Sequence, residues 1–155
     1  MNLAVPTSAC VSYNLRKASL IVSKLYTREM RPAPIRGPQF SLMMMISKRQ
    51  DPAISELARD MGADRTTMTR NLEQLQKRGF IEITQGKNFR TKAVRVSRHG
   101  QAALQRSIAY WQKAQSKVLK TLGQDRWTRM LTDLSALASL TGQSPRSRPR
   151  TEARP

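Results

Sequence analysis

Between Ile54 and Ser97 the period of the apolar residues changes, and that change constrains the fold more than any other feature of the chain. "ISELARDMG" sets Ile54, Leu57, Ala58 and Met61 on one face of a short helix, with Gly62 as its stop. "ADRTTMTRNLEQLQKRG" comes next. Asp64 is a good N-cap and Gly79 a good terminator. At roughly 100° per residue, Met68, Leu72 and Leu75 cluster on one side and are expected to face a core. Then the period drops to two. "FIEIT" (Phe80 to Thr84) and "KAVRVS" (Lys92 to Ser97) alternate apolar and polar residues, as half-buried strands do. Two short strands around the basic loop "QGKNFRT" make a β-hairpin. Two helices joined by the tight turn "MGAD" are a helix-turn-helix, and a hairpin straight after the second one makes it winged.

The flanks are helical. From about Ser8 to Met30, Leu15, Ala18, Val22 and Leu25 recur at helical spacing, and "RPAP" stops that helix because proline cannot continue it. A second apolar helix follows over roughly Gly37 to Lys48, and "RQDPA" breaks it. Asp51 is expected to cap the next helix, with Pro52 at its first position. Downstream, a long helix runs from about Ser97 to Thr121 with Leu104, Ile108, Trp111 and Val118 on one side. A last helix, about Gln124 to Leu140, carries Trp127, Met130, Leu131, Leu134 and Leu137. "GQSPRSRPRTEARP" has no large apolar residue and is expected to be a disordered basic tail, residues 142–155. The expected class is mainly α with a small β-hairpin wing.

Charge narrows the function. The 155 residues hold 28 Lys+Arg against 10 Asp+Glu, a formal +18. Self-repulsion of that size costs stability, so a polyanionic partner is the natural reading, with nucleic acid first and an anionic membrane second. Aromatics are only 5% of residues, and no exposed sheet with stacking aromatics is predicted, which disfavours RNA. The longest apolar run, around Leu42 to Ile46, is far short of a membrane span. "MNLAVPTSAC" lacks both a basic leader and a long apolar region, so a cytoplasmic protein away from the membrane is expected. Cys10 and His99 are single members of their types, which rules out an intrachain disulfide framework and a thiolate–imidazole metal cluster within one chain. With no Gly-rich phosphate loop and no Ser-His-Asp set, neither an enzyme nor a bound cofactor is expected.

The helix from Asp64 to Gly79 has a second face. Thr66, Arg70, Glu73 and Lys77 lie opposite the apolar strip, Arg65 and Thr69 flank one edge, and Thr67 the other. In a helix-turn-helix the N-terminal end of the second helix points into the major groove. Arginine can bond guanine O6 and N7 in a two-pronged geometry, and threonine offers a hydroxyl and a methyl to base edges. Arg65, Thr66, Thr67, Thr69 and Arg70 are therefore the candidate readers of double-stranded DNA. Lys87 and Arg90 at the hairpin tip fit a narrow minor groove, where the negative potential is enhanced. Lys77, Arg78, Lys92, Arg95 and Arg98 are candidate phosphate contacts. Arg146, Arg148, Arg150 and Arg154 in the tail would add sequence-independent ones.

These residues resemble the multiple-antibiotic-resistance regulator (MarR) family of winged-helix transcription factors over roughly Cys10 to Leu140. "ISELARDMGADRTTMTRNLEQLQKRGFIE" resembles the family's short helix, recognition helix and first wing strand, and "VSRHG" its leucine-threonine-x-x-glycine after the second wing strand. The family's wing carries aspartate-x-arginine. Here the pair reads Asn88 and Arg90, so Arg90 inherits the minor-groove role while Asn88 departs from the usual acid. Ala53 stands where the family has serine or threonine, so the usual capping box is missing. The wing is also shorter and more cationic than usual.

The resemblance implies a homodimer. Residues 1–35 and 99–141 would be its dimerisation helices, and residues 36–98 the DNA-binding lobe. The apolar residues of the terminal helices, Trp111 and Trp127 among them, support this independently, because they exceed what a small winged core can bury. The resemblance further implies a sequence-specific regulator, expected to be a repressor, with a near-palindromic operator and a small aromatic or anionic effector that changes DNA affinity. Tyr13, Tyr26, Arg16 and Phe40 are residue types that could line such an effector pocket. Two alternatives remain open at this point. One is an architectural, low-specificity DNA binder, favoured by the +18 charge. The other is a redox-sensing repressor that uses Cys10, since a thiol at a helix N-terminus can have a lowered pKa.

Overall fold

The computed structural model describes residues 7–86 and 91–140. A 3-10 turn at Thr7–Ala9 leads into α1 (Val11–Glu29), followed by α2 (Gly37–Lys48), α3 (Ile54–Asp60) and α4 (Arg65–Lys77). The strands β1 (Ile81–Gln85) and β2 (Lys92–Val96) come next, then α5 (Arg98–Leu122) and α6 (Gln124–Ser139). The chain forms two compact units, one up to Gln115 and one from Ser116, with the boundary inside α5.

The first unit is built around the helix-turn-helix. Met43 and Ile46 of α2, Leu57 of α3, Met68, Leu72 and Leu75 of α4, and Val94 of β2 are all fully buried. The apolar strip read from the sequence of α4 is thus the face that packs. α2 begins as expected from its sequence, with Pro38 in the first turn, where its missing N–H costs nothing. α4 starts at Asp64, whose side chain accepts the Thr67 N–H, and it stops before Gly79, which has a φ of 69° that favours glycine.

Two antiparallel strands form the hairpin, with Ile81 opposite Val96 and Ile83 opposite Val94. The sheet is wider than the hairpin alone. The Val94 N–H donates to the Pro52 carbonyl at 3.0 Å, and Ala53 bridges Ala93. The segment before α3 therefore lies along β2 as a third, one-bridge strand.

Two expectations about the start of α3 are corrected here. Asp51 does not cap it: the N-cap is Ala53. Asp51 instead has a φ of 51° and forms a two-pronged pair with Arg95 of β2, at 2.7 and 2.5 Å. The capping box is also only half missing, because the Glu56 carboxylate accepts the Ala53 N–H at 2.9 Å. Alanine has no side-chain acceptor to return the bond.

α5 is stitched to the hairpin at its first turn. The Ser97 hydroxyl donates to the Gly79 carbonyl at 2.6 Å and accepts the Gly100 N–H at 3.0 Å. The Ser97 N–H donates to the Phe80 carbonyl at 3.0 Å. Gly100 packs so closely that a Cβ there would sit 2.0 Å from the Phe80 carbonyl oxygen. Phe80 stacks on His99 at 5.2 Å between ring centres.

α1 meets the rest of this unit only near its end. Glu29 is buried and pairs with Arg28 at 3.1 Å and, at 3.9 Å, with Lys113 of α5. The Tyr26 hydroxyl bonds the Gln115 side chain, and burial raises its pKa. Upstream, Val11, Tyr13, Leu15, Leu20, Ile21 and Val22 are exposed. The helical spacing expected of α1 is present, yet among the described residues that apolar surface stays exposed.

In the second unit, Gly123 has a φ of 77° and separates the end of α5 from α6. Its N–H donates to the Leu119 carbonyl at 2.8 Å. Trp127 is half-buried, whereas Leu131, Leu134, Leu137 and Leu140 are exposed.

Candidate nucleic-acid interface

The candidate interface is the face of α4 opposite its buried strip. Arg65, Thr66, Thr67 and Arg70 are exposed, while Thr69 is half-buried toward the hairpin. Core contacts over about two turns hold this face in place: Met68, Leu72 and Leu75 are each no more than 1% exposed. The helix therefore presents its polar side without freedom to roll.

Asp64 and Thr67 organise its N-terminus. The Asp64 carboxylate accepts the Thr67 N–H at 2.8 Å and the Thr67 hydroxyl at 2.7 Å. The backbone bond first, and then the hydroxyl bond, lower the Asp64 pKa. Thr67 thus spends its hydroxyl proton on the cap and keeps its methyl and its oxygen lone pairs for other contacts. The side-chain polar atoms of Arg65, Thr66 and Arg70 make no hydrogen bond or ion pair among the described residues.

The candidate phosphate contacts divide into two kinds. Lys77, Lys92 and Arg98 are exposed. Arg78 is tied into the lobe: it donates to the Gln39 side chain at 2.9 Å and to the Pro34 carbonyl at 2.7 Å, and it lies 4.5 Å over the Phe80 ring. Arg95 is tied to Asp51, whose hydrogen bonds and charge raise its pKa. Lys87, Asn88 and Arg90 fall outside the described residues, as does the tail.

Cys10 occupies the N-cap position of α1, half-buried, without a side-chain capping bond. Tyr13 is 47% exposed. The small cavities flanking α2 are lined instead by Phe40, Ser41, Met44, Ile108 and Trp111 on one side. Tyr26, Val22, Gly37 and Pro38 line the other side. Phe40 stacks on Trp111 at 5.8 Å. Of the four aromatic and cationic residue types named for an effector pocket, Phe40 and Tyr26 are brought to these cavities, and Tyr13 and Arg16 are not part of their linings.

Sequence reading missed the tethering roles of Asp51 and Arg78. Nothing local signals them, since each partner lies about forty residues away in the chain, at separations of 44 for Asp51–Arg95 and 39 for Arg78–Gln39. No helix among the described residues is long and apolar enough to cross a membrane. Among the same residues no cluster of three metal-ligating side chains occurs.

A capped recognition helix after a short helix and before a hairpin defines a winged helix-turn-helix fold. Comparison with known proteins gives the family. The family model described as "MarR family" matches residues 35–88. The transcriptional regulator MosR of Mycobacterium tuberculosis, solved in complex with DNA, is 31% identical. That similarity covers 88% of this chain and 99% of MosR, with a TM-score of 0.78. The chain belongs to the MarR family of winged helix-turn-helix transcriptional regulators.

Two more distant structures share the fold. The repressor CouR, bound to a 23-mer DNA duplex, is 22% identical over 89% of this chain and 99% of its own, with a TM-score of 0.77. It has also been solved from Rhodococcus jostii with p-coumaroyl-CoA. BpsR of Bordetella bronchiseptica, whose DNA binding is regulated by 6-hydroxynicotinic acid, is 14% identical over 84% of this chain and 94% of its own, with a TM-score of 0.76. A search of curated protein sequences found no match.

Proposed function

We propose that this protein is a homodimeric, sequence-specific DNA-binding repressor whose affinity for its operator is set by a small molecule. The observation that carries this reading is the exposed, unpaired row Arg65, Thr66 and Arg70 on a helix locked by its buried opposite face. Arg65, Thr66, Thr67, Thr69 and Arg70 read base edges in the major groove. Lys87, Asn88 and Arg90 form the wing's minor-groove contact. Lys77 and Lys92 hold phosphates, and Arg78 contributes through the donors that its two internal bonds leave over.

Dimerisation is supported by the uncovered apolar side chains of α1 and α6, which a monomer would leave in water. Residues 1–35 and 99–141 make that interface, residues 36–98 are the reading lobe, and residues 142–155 add charge. A two-fold dimer places the two recognition helices about 10 bp apart on a near-palindromic operator. The effector is a small aromatic or anionic molecule. The Phe40–Trp111 stack beside α2 supports an aromatic one, since the cavity there is apolar and lies directly against the helix-turn-helix core. Such a ligand acts by preferring one spacing of the lobes over the other.

The test is selection of bound sites from a random duplex library at two salt concentrations. A palindromic motif with half-sites one helical turn apart is expected. Enrichment without a motif, collapsing as salt rises, would establish an architectural binder instead.

A further inference from the structure

Glu73 is the one acidic residue of α4. It is exposed on the face that carries Thr66, Arg70 and Lys77, opposite the buried Met68, Leu72 and Leu75. Arg70 stands three residues before it and Lys77 four after it, spacings at which helical side chains meet. Neither pairs with it. Among the described residues the Glu73 carboxylate makes no hydrogen bond or ion pair. Lys92 of β2 lines the same open cleft between α4 and the hairpin, with Thr69, Gln76 and Thr84, and is not paired with it either.

A bare carboxylate on that face is costly in front of a polyanion. An ionised carboxylate only accepts hydrogen bonds, so nothing on the phosphate backbone can satisfy it. The donors that double-stranded DNA does offer in the major groove are the N4 amine of cytosine and the N6 amine of adenine. Thymine and guanine present only acceptors there. Cytosine suits a carboxylate better than adenine does, because adenine N7 stands beside the amine and repels the second carboxylate oxygen.

The position fits such a contact. At the usual rise Glu73 stands about 4.5 Å further along α4 than Arg70, close to the roughly 3.4 Å between stacked base pairs. It lies about 12 Å from Arg65, which is about the width of the major groove. The third turn of the helix is therefore still inside a groove that the first turn enters. Leu72 and Leu75 on either side of it are fully buried and fix the backbone from which Glu73 projects.

We propose that Glu73 is a specificity-determining residue whose carboxylate accepts a hydrogen bond from the N4 amine of a cytosine, at a base pair next to the one that Arg70 meets. The inference rests on the DNA-reading role proposed above for α4. It gives the helix a reader that works by exclusion. Arg70 gains from meeting a guanine. Glu73 loses from meeting any base without an amine, because its charge is then desolvated and left without a donor.

The test is selection of bound sites from a random duplex library by full-length wild type, Glu73→Gln, Glu73→Ala and, as a charge control on the exposed side of β1, Glu82→Gln. Glutamine keeps the shape of the side chain but pairs with adenine N6 and N7. The wild-type motif is expected to hold one cytosine per half-site whose replacement weakens binding at least roughly fivefold. Glu73→Gln should turn that position toward adenine, and Glu73→Ala should leave it without preference. Glu82→Gln should leave the motif unchanged. One motif shared by wild type and the Glu73 variants overturns the inference and leaves α4 a reader without this arm. An affinity that rises evenly on all sequences in the Glu73 variants, as in the control, also overturns it, because it marks plain repulsion from phosphate. The absence of any motif for wild type would instead overturn the DNA-reading role, and this inference with it. Glu73 is exposed and unpaired, so either variant decides the matter should the other fail to fold by circular dichroism.

Discussion

The Asp64 carboxylate accepts two hydrogen bonds from one residue, the backbone N–H and the hydroxyl of Thr67. Both bonds are stronger to the ionised carboxylate, and both lower its pKa. A carboxylate whose folded pKa is depressed stabilises the fold above its unfolded value, and that contribution is lost as pH falls through the folded value. Asp64→Ala is therefore expected to lower the melting temperature by a few degrees at neutral pH, with the gap to wild type closing as pH falls below about 4. Melting curves of both proteins between pH 7 and pH 3 check this. A gap that is constant across the range would mean that Asp64 is not capping α4.

Gly100 makes a sharper case. A Cβ there would meet backbone, 2.0 Å from the Phe80 oxygen and 2.8 Å from its carbon. Neither atom can swing aside as a flexible side chain would. Gly100→Ala should destabilise the protein at or beyond the upper end of the about 1–3 kcal/mol typical of overpacking. Urea unfolding measures it. A cost below 1 kcal/mol would show that α5 can lift off the hairpin without penalty.

The proposed base reading by Arg70 has its own signature. Arg70→Ala is expected to cost about 1–3 kcal/mol of discrimination at one base pair of each half-site, leaving the other positions intact. Competition binding against a panel of single-substituted operators resolves this. An even loss of affinity across the panel would reduce Arg70 to a phosphate contact.

The exposed leucines of α6 bear on assembly. Leu131 and Leu134 are 47% and 39% exposed. The pair Leu131→Glu/Leu134→Glu should convert a dimer to a monomer by sedimentation. Affinity for a full operator should then fall toward that for a half-site, because the second lobe loses its effective concentration. A variant that remains dimeric would place the interface elsewhere.

What the sequence reveals about this fold is what is local. Asp64 and Gly79 bound α4 because capping chemistry acts within a turn, and "RPAP" ends α1 by the same kind of local veto. The hairpin is legible because alternation is a nearest-neighbour property, and its register, Ile81 opposite Val96, follows from burying that alternation. Asp51 is the instructive failure. It has the composition of a cap, yet a partner 44 residues away claims its carboxylate. Arg78 is likewise more than the surface cation its sequence suggests: a carbonyl, an amide and a ring supplied by the fold hold it. The exposed apolar stripe of α1 is the opposite case, a pattern that is plain in the sequence and finds no cover among the described residues.

The hairpin is fastened along the outer edge of β2. Val94 is bonded to Pro52, Ala53 bridges Ala93, and Arg95 grips Asp51. In mechanical language β2 is a beam propped along its length, not one held only where it joins α5. Its direction is therefore set by the short stretch ahead of α3 as much as by β1. A substitution at Asp51 would loosen that prop from outside the hairpin, without any change in the residues of α4.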